Sequence, residues 1–266
     1  MHALETEMAL DGFFGRLEAS QTGALILDYD GTLAPFSADR YTAFPYPGVR
    51  RALFQIMHNG RTRLAIVSGR PVPELIPLLG ISPIPEIWGL HGLEHLRRDG
   101  ECRTYPLSND DVQILTEATS WLEYQGLQHL AEFKVGSIAV HWRGLPSEQA
   151  TLTAERVRKG WSRLAANSRM AVIDFDGGIE IRPRFRNKAH AVLTMQAEME
   201  FAVPLAYLGD DRTDEDAFHA LHGLSQAMTI LVRREFRETE AKAWIRPPEQ
   251  LLNFLDRWLD CCGGAR

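Results

Sequence analysis

The sequence predicts an open α/β fold, a mostly parallel sheet interrupted by a smaller α/β insertion. Short apolar runs alternate with helical patterns, and several of these runs end on polar or glycine-bearing segments. A stretch near the middle of the chain breaks this rhythm with strands and turns of its own.

The runs are Ala24 to Leu27, Leu64 to Val67, Leu205 to Leu208 and Met228 to Val232. Each has the length and continuous hydrophobicity of a strand covered on both faces. The first three stop at Asp28-Tyr29-Asp30-Gly31-Thr32, Ser68-Gly69-Arg70 and Gly209-Asp210-Asp211. Ligands of open parallel sheets bind beyond the carboxyl ends of the strands, so these endings are expected to converge on one crevice.

Helical patterns lie between the runs. Val49, Leu53, Ile56 and Met57 make one face, and Val192, Leu193, Gln196 and Met199 a thinner one. Pro248 opens a last segment in which Leu251, Leu252, Leu255, Trp258 and Leu259 recur at helical spacing. Between about Thr104 and Arg182 the pattern predicts a helix from Ser108 to about Leu130, a strand Val135 to Trp142 and a helix Ser147 to Ala166. Strands Met170 to Phe175 and Ile179 to Ile181 then flank the turn Asp176-Gly177-Gly178. The expected organisation is a sheet domain in two parts, 1–103 and 183–266, around an inserted domain, 104–182.

The bulk numbers describe an ordinary soluble chain. Its 266 residues are 45% hydrophobic and 24% charged. A net charge of −6 repels nucleic acid and anionic membranes, so neither is an expected partner. A phosphate ligand would need local help from a cation, basic side chains or helix N-termini. Met1 to Leu10 lacks a basic start before an apolar stretch, no run is long enough to span a bilayer, and Cys102, Cys261 and Cys262 form no disulfide framework. A cytoplasmic monomer is expected.

Asp28-x-Asp30-Gly31-Thr32-Leu33, directly after an apolar run, is the most specific feature. Gly31 allows a turn tight enough for two carboxylates to meet over one ligand. One carboxylate can attack phosphorus while the other moves protons, and an aspartyl phosphate splits one hard displacement into two easier ones. Asp210, within Gly209-Asp210-Asp211-Arg212-Thr213-Asp214, is the expected Mg²⁺ ligand. Asp214 begins a helix there and orients the site from behind. Ser68-Gly69-Arg70 leaves a hydroxyl and backbone N–H groups for a phosphoryl oxygen. Lys188 alone would read as a surface charge, but it completes a set of nucleophile, acid/base, hydroxyl, cation and metal carboxylates.

Other candidates weigh less. His91 and His95 have zinc-helix spacing, but Gly89 and Gly92 argue against a helix there. His219 and His222 read as packing or surface residues, and Arg233, Arg234 and Arg237, interleaved with glutamates, as a solvated face.

The four segments resemble, in order, the four motifs of the haloacid dehalogenase superfamily. By that resemblance Asp28 is the nucleophile, Asp30 the acid/base, Ser68 the phosphate hydroxyl, Lys188 the charge-neutralising lysine and Asp210 the Mg²⁺ ligand. Asp28 and Asp30 join Asp210 at the metal, with Asp211 and Asp214 behind it, and Thr32, Gly69 and Arg70 complete the phosphate site.

Within that superfamily the chain is most similar to trehalose-6-phosphate phosphatases. The resembling residues are Gly89-Leu90-His91-Gly92-Leu93-Glu94, Lys134 followed by His141-x-Arg143, and Glu180-x-Arg182-Pro183. The likeness implies a doubly wound core with an inserted α/β cap of the C2 type that holds the sugar. His91, Gly92, Glu94, Glu132, Lys134, His141, Arg143, Glu180 and Arg182 are then the expected substrate contacts. Ala189 departs from the glycine usual after the motif lysine. The expected reaction is Mg²⁺-dependent hydrolysis of a sugar phosphate, trehalose 6-phosphate above all. The rivals are another glycosyl phosphate (sucrose phosphate, glucosylglycerol phosphate or mannosyl-phosphoglycerate), a phosphomutase, or a sugar-phosphate sensor.

Overall fold

A computed structural model describes residues 3–37, 39–199 and 203–262. In chain order the first elements are α1 (Ala3–Ser20), β1 (Gly23–Asp28), α2 (Val49–His58), β2 (Thr62–Val67), α3 (Val72–Leu79), β3 (Glu86–Gly89), β4 (Glu94–Leu96) and β5 (Cys102–Thr104). Then come α4 (Asn109–Gln125), β6 (Ala131–Lys134), β7 (Ser137–His141), α5 (Ser147–Ala165), β8 (Met170–Phe175) and β9 (Gly178–Pro183). The chain closes with α6 (Lys188–Glu198), β10 (Leu205–Gly209), α7 (Glu215–Leu221), β11 (Ala227–Val232), β12 (Ala243–Ile245) and α8 (Glu249–Cys262). No helix of the described residues is long and apolar enough to cross a membrane.

Among the described residues, one compact unit comprises the chain to Arg103, Lys188–Asp210 and the chain from Asp214 onward. It is built on an 8-stranded sheet of order β12-β11-β10-β1-β2-β3-β4-β5. The strands from β12 to β3 pair in parallel, and β4 runs antiparallel to β3. The chain moves outward from β1 through β2 to β3 and later returns to β10 on the other side of β1. The strand order therefore reverses at the β1–β10 pair, where the crevice of an open sheet lies.

All six residues of β1 are buried, as are all those of β10 and β11. On one face, Leu25, Leu27, Leu64, Ile66 and Leu208 form a core with Phe13 and Leu17 of α1, Leu53 and Ile56 of α2, and Leu255 and Trp258 of α8. Toward the other, Ala191, Val192 and Met195 of α6 and Phe218 of α7 are buried, and Phe218 packs its ring edge-on to Tyr207 at 5.7 Å. Burial on both faces at roughly 1.5–3 kcal/mol for each large side chain makes the central strands the stable frame.

The second unit, Thr104–Asn187 with Asp211–Thr213, carries a 4-stranded antiparallel sheet of order β6-β7-β9-β8. Ile138, Val140, Ile179 and Ile181 point from one face into a core with Val157 and Trp161 of α5 and Leu122 of α4. Its elements differ from expectation in two places. Helix α4 starts from a capping box, Ser108 with Asp111, and stops at Gln125 because Gly126 turns into the left-handed region at φ +69°. The expected strand Val135 to Trp142 is β7, and it pairs through a turn at Gly136, φ +84°, with a strand that was not expected, β6.

Candidate active site

Asp28 is the last residue of β1, and Asp210 immediately follows its neighbour β10, with Leu27 level with Leu208. After Asp28 the chain curls at once. The N–H groups of Leu33 and Ala34 both donate to the Tyr29 carbonyl, at 2.9 and 3.1 Å, and Gly31 N–H donates to Ala34 O at 2.8 Å. Gly31 sits at φ +82°, and a Cβ there would lie 2.1 Å from Asp210 Oδ2. The absent side chain is the space in which the Asp210 carboxylate stands.

Carboxylate oxygens of Asp28, Asp210 and Asp214 lie within 4.8 Å of one another, all three residues buried. Lys188, at the start of α6, places Nζ 2.7 Å from both Asp28 Oδ1 and Asp214 Oδ1. Thr32 Oγ1 donates to Asp28 Oδ2 at 3.2 Å, and the Tyr207 hydroxyl to Asp214 Oδ1 at 2.6 Å. Asp210 N–H donates to Asp214 Oδ2 at 3.1 Å, so Asp214 gathers three donors, from α6, from β10 and from the loop that follows β10.

Burial pushes the Asp28 carboxyl up to about 7; Lys188 works against this and Asp214 adds to it. Burial alone would lower the Lys188 ammonium, but Asp214 and Asp28 outweigh it and hold the group above its ordinary value. Three carboxylates against one ammonium leave excess negative charge in a dry place. Hard oxygen donors with that excess fit Mg²⁺.

Asp30 is not in this cluster. Its two oxygens accept from Nε and Nη2 of Arg70, at 2.6 and 2.7 Å. Arg70 Nη1 donates to the Arg40 carbonyl at 2.6 Å, which fixes the fork from behind. The Ser68 hydroxyl accepts from Arg70 N–H at 3.1 Å, and the Ser68 carbonyl accepts from His91 N–H at 2.9 Å. Gly69 faces the His91 ring so closely that a Cβ there would lie 2.6 Å from Nε2. Glu94 caps α3, accepting from Val72 N–H at 2.7 Å, and Gly92 ends a short turn in which His91 takes φ +55°.

Of the remaining candidates, Glu132, Lys134, His141, Glu180 and Arg182 share one face of the smaller sheet, opposite the face that carries Ile179 and Ile181, and Arg143 lies in the turn after β7. Glu180 accepts from Ser137 Oγ at 2.8 Å and Lys134 Nζ at 3.3 Å, and Arg182 Nε stands 3.8 Å from it. Glu132 lies 2.9 Å from His141 Nε2. Arg143 donates to the Asp176 carbonyl at 2.6 Å.

Other residues resolve differently. Asp211 lies outside the buried cluster, its carboxylate accepting from Arg212 N–H at 2.7 Å. His95 stacks on Trp88 with ring centroids 3.6 Å apart and meets Glu86 at 2.8 Å, so no zinc helix exists there. Arg237 is not part of a solvated face: it pairs with Glu215 and donates to the Asp210 carbonyl at 3.2 Å. Sequence reasoning missed Tyr207, Ser137, Glu215 and Arg237. Tyr207 left a signal, as a hydroxyl inside the apolar run Leu205 to Leu208.

The family model described as Trehalose-phosphatase matches residues 26–244. Trehalose-phosphate phosphatase B of Arabidopsis thaliana is 28% identical over 257 residues, covering 89% of this chain and 66% of that protein. Trehalose-phosphate phosphatase of Mycobacterium leprae is 30% identical over 253 residues, covering 88% and 57%. The chain thus spans just under two thirds of the Arabidopsis protein and less of the mycobacterial one. The solved C-terminal domain of C. albicans trehalose-6-phosphate phosphatase superposes with a TM-score of 0.84 at 22% identity, covering 94% of this chain and 96% of that one. The fold is the haloacid-dehalogenase-like core with a cap that the motifs led us to expect.

Proposed function

We propose that this chain, which belongs to the trehalose-phosphatase family, hydrolyses trehalose 6-phosphate to trehalose and phosphate through an aspartyl phosphate on Asp28. The observation that carries this reading is the buried juxtaposition of Asp28 with Lys188, at 2.7 Å, inside a carboxylate cluster at the sheet's switch point. A carboxylate so held is aimed and desolvated, as an attacking oxygen should be.

In the first step an Asp28 oxygen forms a bond to phosphorus while the phosphorus–sugar oxygen bond breaks, and Asp30 gives its proton to the departing oxygen. In the second, Asp30 takes a proton from water, whose oxygen attacks phosphorus and returns Asp28 to the carboxylate. Lys188 offsets charge on the phosphoryl oxygens, and Thr32, Ser68 and Gly69 hold them. Asp28, Asp210 and the Asp30 segment would hold Mg²⁺, with Asp214 fixing Asp210 and Asp211 flanking it. When bound, Mg²⁺ supplies charge neutralisation of the phosphoryl group. Glu132, Lys134, His141, Arg143, Glu180 and Arg182 would take the sugar hydroxyls. His91, Gly92 and Glu94 shape the wall beside Ser68, and the enzyme works as a cytoplasmic monomer.

The test is phosphate release from a panel of sugar phosphates with Mg²⁺ and with a chelator. Preference for trehalose 6-phosphate, equal yields of phosphate and free disaccharide, and loss of activity in chelator are expected. Faster turnover of sucrose phosphate, glucosylglycerol phosphate or mannosyl-phosphoglycerate would reassign the substrate, and an isomeric sugar phosphate as product would overturn hydrolysis.

A further inference from the structure

Asp210 is held by its backbone on both sides. Its N–H donates to Asp214 Oδ2 at 3.1 Å, and its carbonyl accepts from Arg237 Nε at 3.2 Å. Arg237 belongs to the connection between β11 and β12, far from Asp210 in sequence. What keeps it there is Glu215, the first residue of α7. The Glu215 carboxylate accepts from Arg237 Nη1, from Thr239 Oγ1 at 2.8 Å and from Glu240 N–H at 2.9 Å. Arg237 Nη1 also reaches the Glu238 carbonyl at 2.9 Å. One carboxylate thus gathers Arg237, Thr239 and Glu240 of the connection and turns a single guanidinium edge toward the Asp210 peptide.

The charges make sense as a pair. An unpaired guanidinium beside a divalent-cation site would repel the cation, whereas Glu215 cancels that charge and leaves only the directional N–H. Asp210 is also confined from the side-chain direction, because its carboxylate occupies the space left open by Gly31.

We propose that Glu215 and Arg237 are positioning residues that set the Mg²⁺ affinity of the site by fixing the Asp210 backbone, an inference that rests on the metal reading given above. Partners that orient metal ligands typically contribute 10- to 100-fold in affinity. Neither residue takes part in the displacement, so their loss acts on metal binding and not on the chemistry once the metal is in place.

Calorimetric Mg²⁺ titration of the full chain tests this, with folding followed by circular dichroism and melting. Arg237→Ala and Glu215→Gln are expected to raise the Mg²⁺ Kd about 10- to 100-fold, and turnover is expected to recover substantially at saturating Mg²⁺. Arg237→Lys keeps the charge but cannot reach both Glu215 and the Asp210 carbonyl, so it should weaken Mg²⁺ in the same direction. Glu240→Ala, in the same connection, cuts the pair with His219 of α7, at 2.8 Å, keeps the backbone N–H that Glu215 accepts, and is expected to bind Mg²⁺ like the wild type. A folded Arg237→Ala with a Kd within twofold of wild type overturns the proposal; if that variant does not fold, an unchanged Kd in Arg237→Lys does so. An equal loss in Glu240→Ala would reduce the effect to general loosening and also overturns it. A wild-type chain that binds no Mg²⁺ sinks the metal reading itself, whereas wild-type binding with unaltered variants sinks this inference alone.

Discussion

Arg70 grips Asp30 by both carboxylate oxygens, at 2.6 and 2.7 Å, while its remaining arm is anchored to the Arg40 carbonyl. A bidentate fork sets direction as well as distance. Arg70→Lys keeps the charge and loses the fork. Turnover of trehalose 6-phosphate is expected to fall about 10- to 100-fold, toward the lower part of what a placed acid/base contributes. A nitrophenyl phosphate, whose leaving group departs without a proton, should lose less than about fivefold, since little acid catalysis is at stake. Measured kcat/KM values for the two substrates, which report the steps up to leaving-group departure and leave out the shared attack of water, check this; equal losses would mean that Arg70 acts on the phosphoryl group itself.

Gly31 faces the most crowded spot in the site, with Asp210 Oδ2 only 2.1 Å from where a Cβ would stand. Gly31→Ala must move Asp210 and also strain a residue at φ +82°, at about 1–2 kcal/mol for the backbone alone. The melting temperature should drop by several degrees and activity about 100-fold or more, in line with a misplaced reacting group. A variant with activity near that of the wild type would show that the loop relaxes without cost.

Substrate identity should be written in the smaller sheet. Binding energy from groups remote from phosphorus orients the reacting centre, so its loss lowers turnover as well as affinity. Glu180→Ala and His141→Ala are each expected to reduce phosphate release from trehalose 6-phosphate at least tenfold, with much less effect on a small aryl phosphate. Lys188→Ala should damage both reactions alike. Because Glu180 also holds Ser137 and Lys134, its variant requires a melting curve before the kinetics are read. Equal losses on both substrates in the folded variants would remove specificity from this face.

Glu86 offers a test of stability against pH. Burial raises its carboxyl, but the hydrogen bonds from His95 and Arg63 outweigh this and hold it down at about 2, from its ordinary 4.5. The folded value is depressed, so the contribution is fully present above about pH 4.5 and is lost as the pH falls toward 2. At about 1.36 kcal/mol per pH unit that displacement is worth roughly 3 kcal/mol. Glu86→Gln is therefore expected to be about 3 kcal/mol less stable than wild type at pH 7, with the gap narrowing progressively below pH 4.5. Denaturant melts across that range measure it, and a gap that stays constant with pH would place the effect in packing and not in charge.

What the sequence by itself determined follows from local chemistry. Continuous apolar runs such as Ala24 to Leu27 and Leu205 to Leu208 can be satisfied only by burial on both faces, so their strand character and parallel pairing were legible. The carboxylates and glycine that follow them were legible as a site because in an open parallel sheet strand ends converge. Short or half-polar strands were not legible: β6, Ala-Glu-Phe-Lys, has too little periodicity to declare itself before it pairs with β7. Nor could the sequence assign partners. That Arg70 takes Asp30, that Tyr207 and Lys188 meet on Asp214, and that Arg237 reaches the Asp210 carbonyl are facts of tertiary structure. A charged side chain several bonds long can reach many partners, and which one it finds depends on which strand ends the sheet order brings together. Composition records the supply of such groups, and only the folded backbone sets their distances.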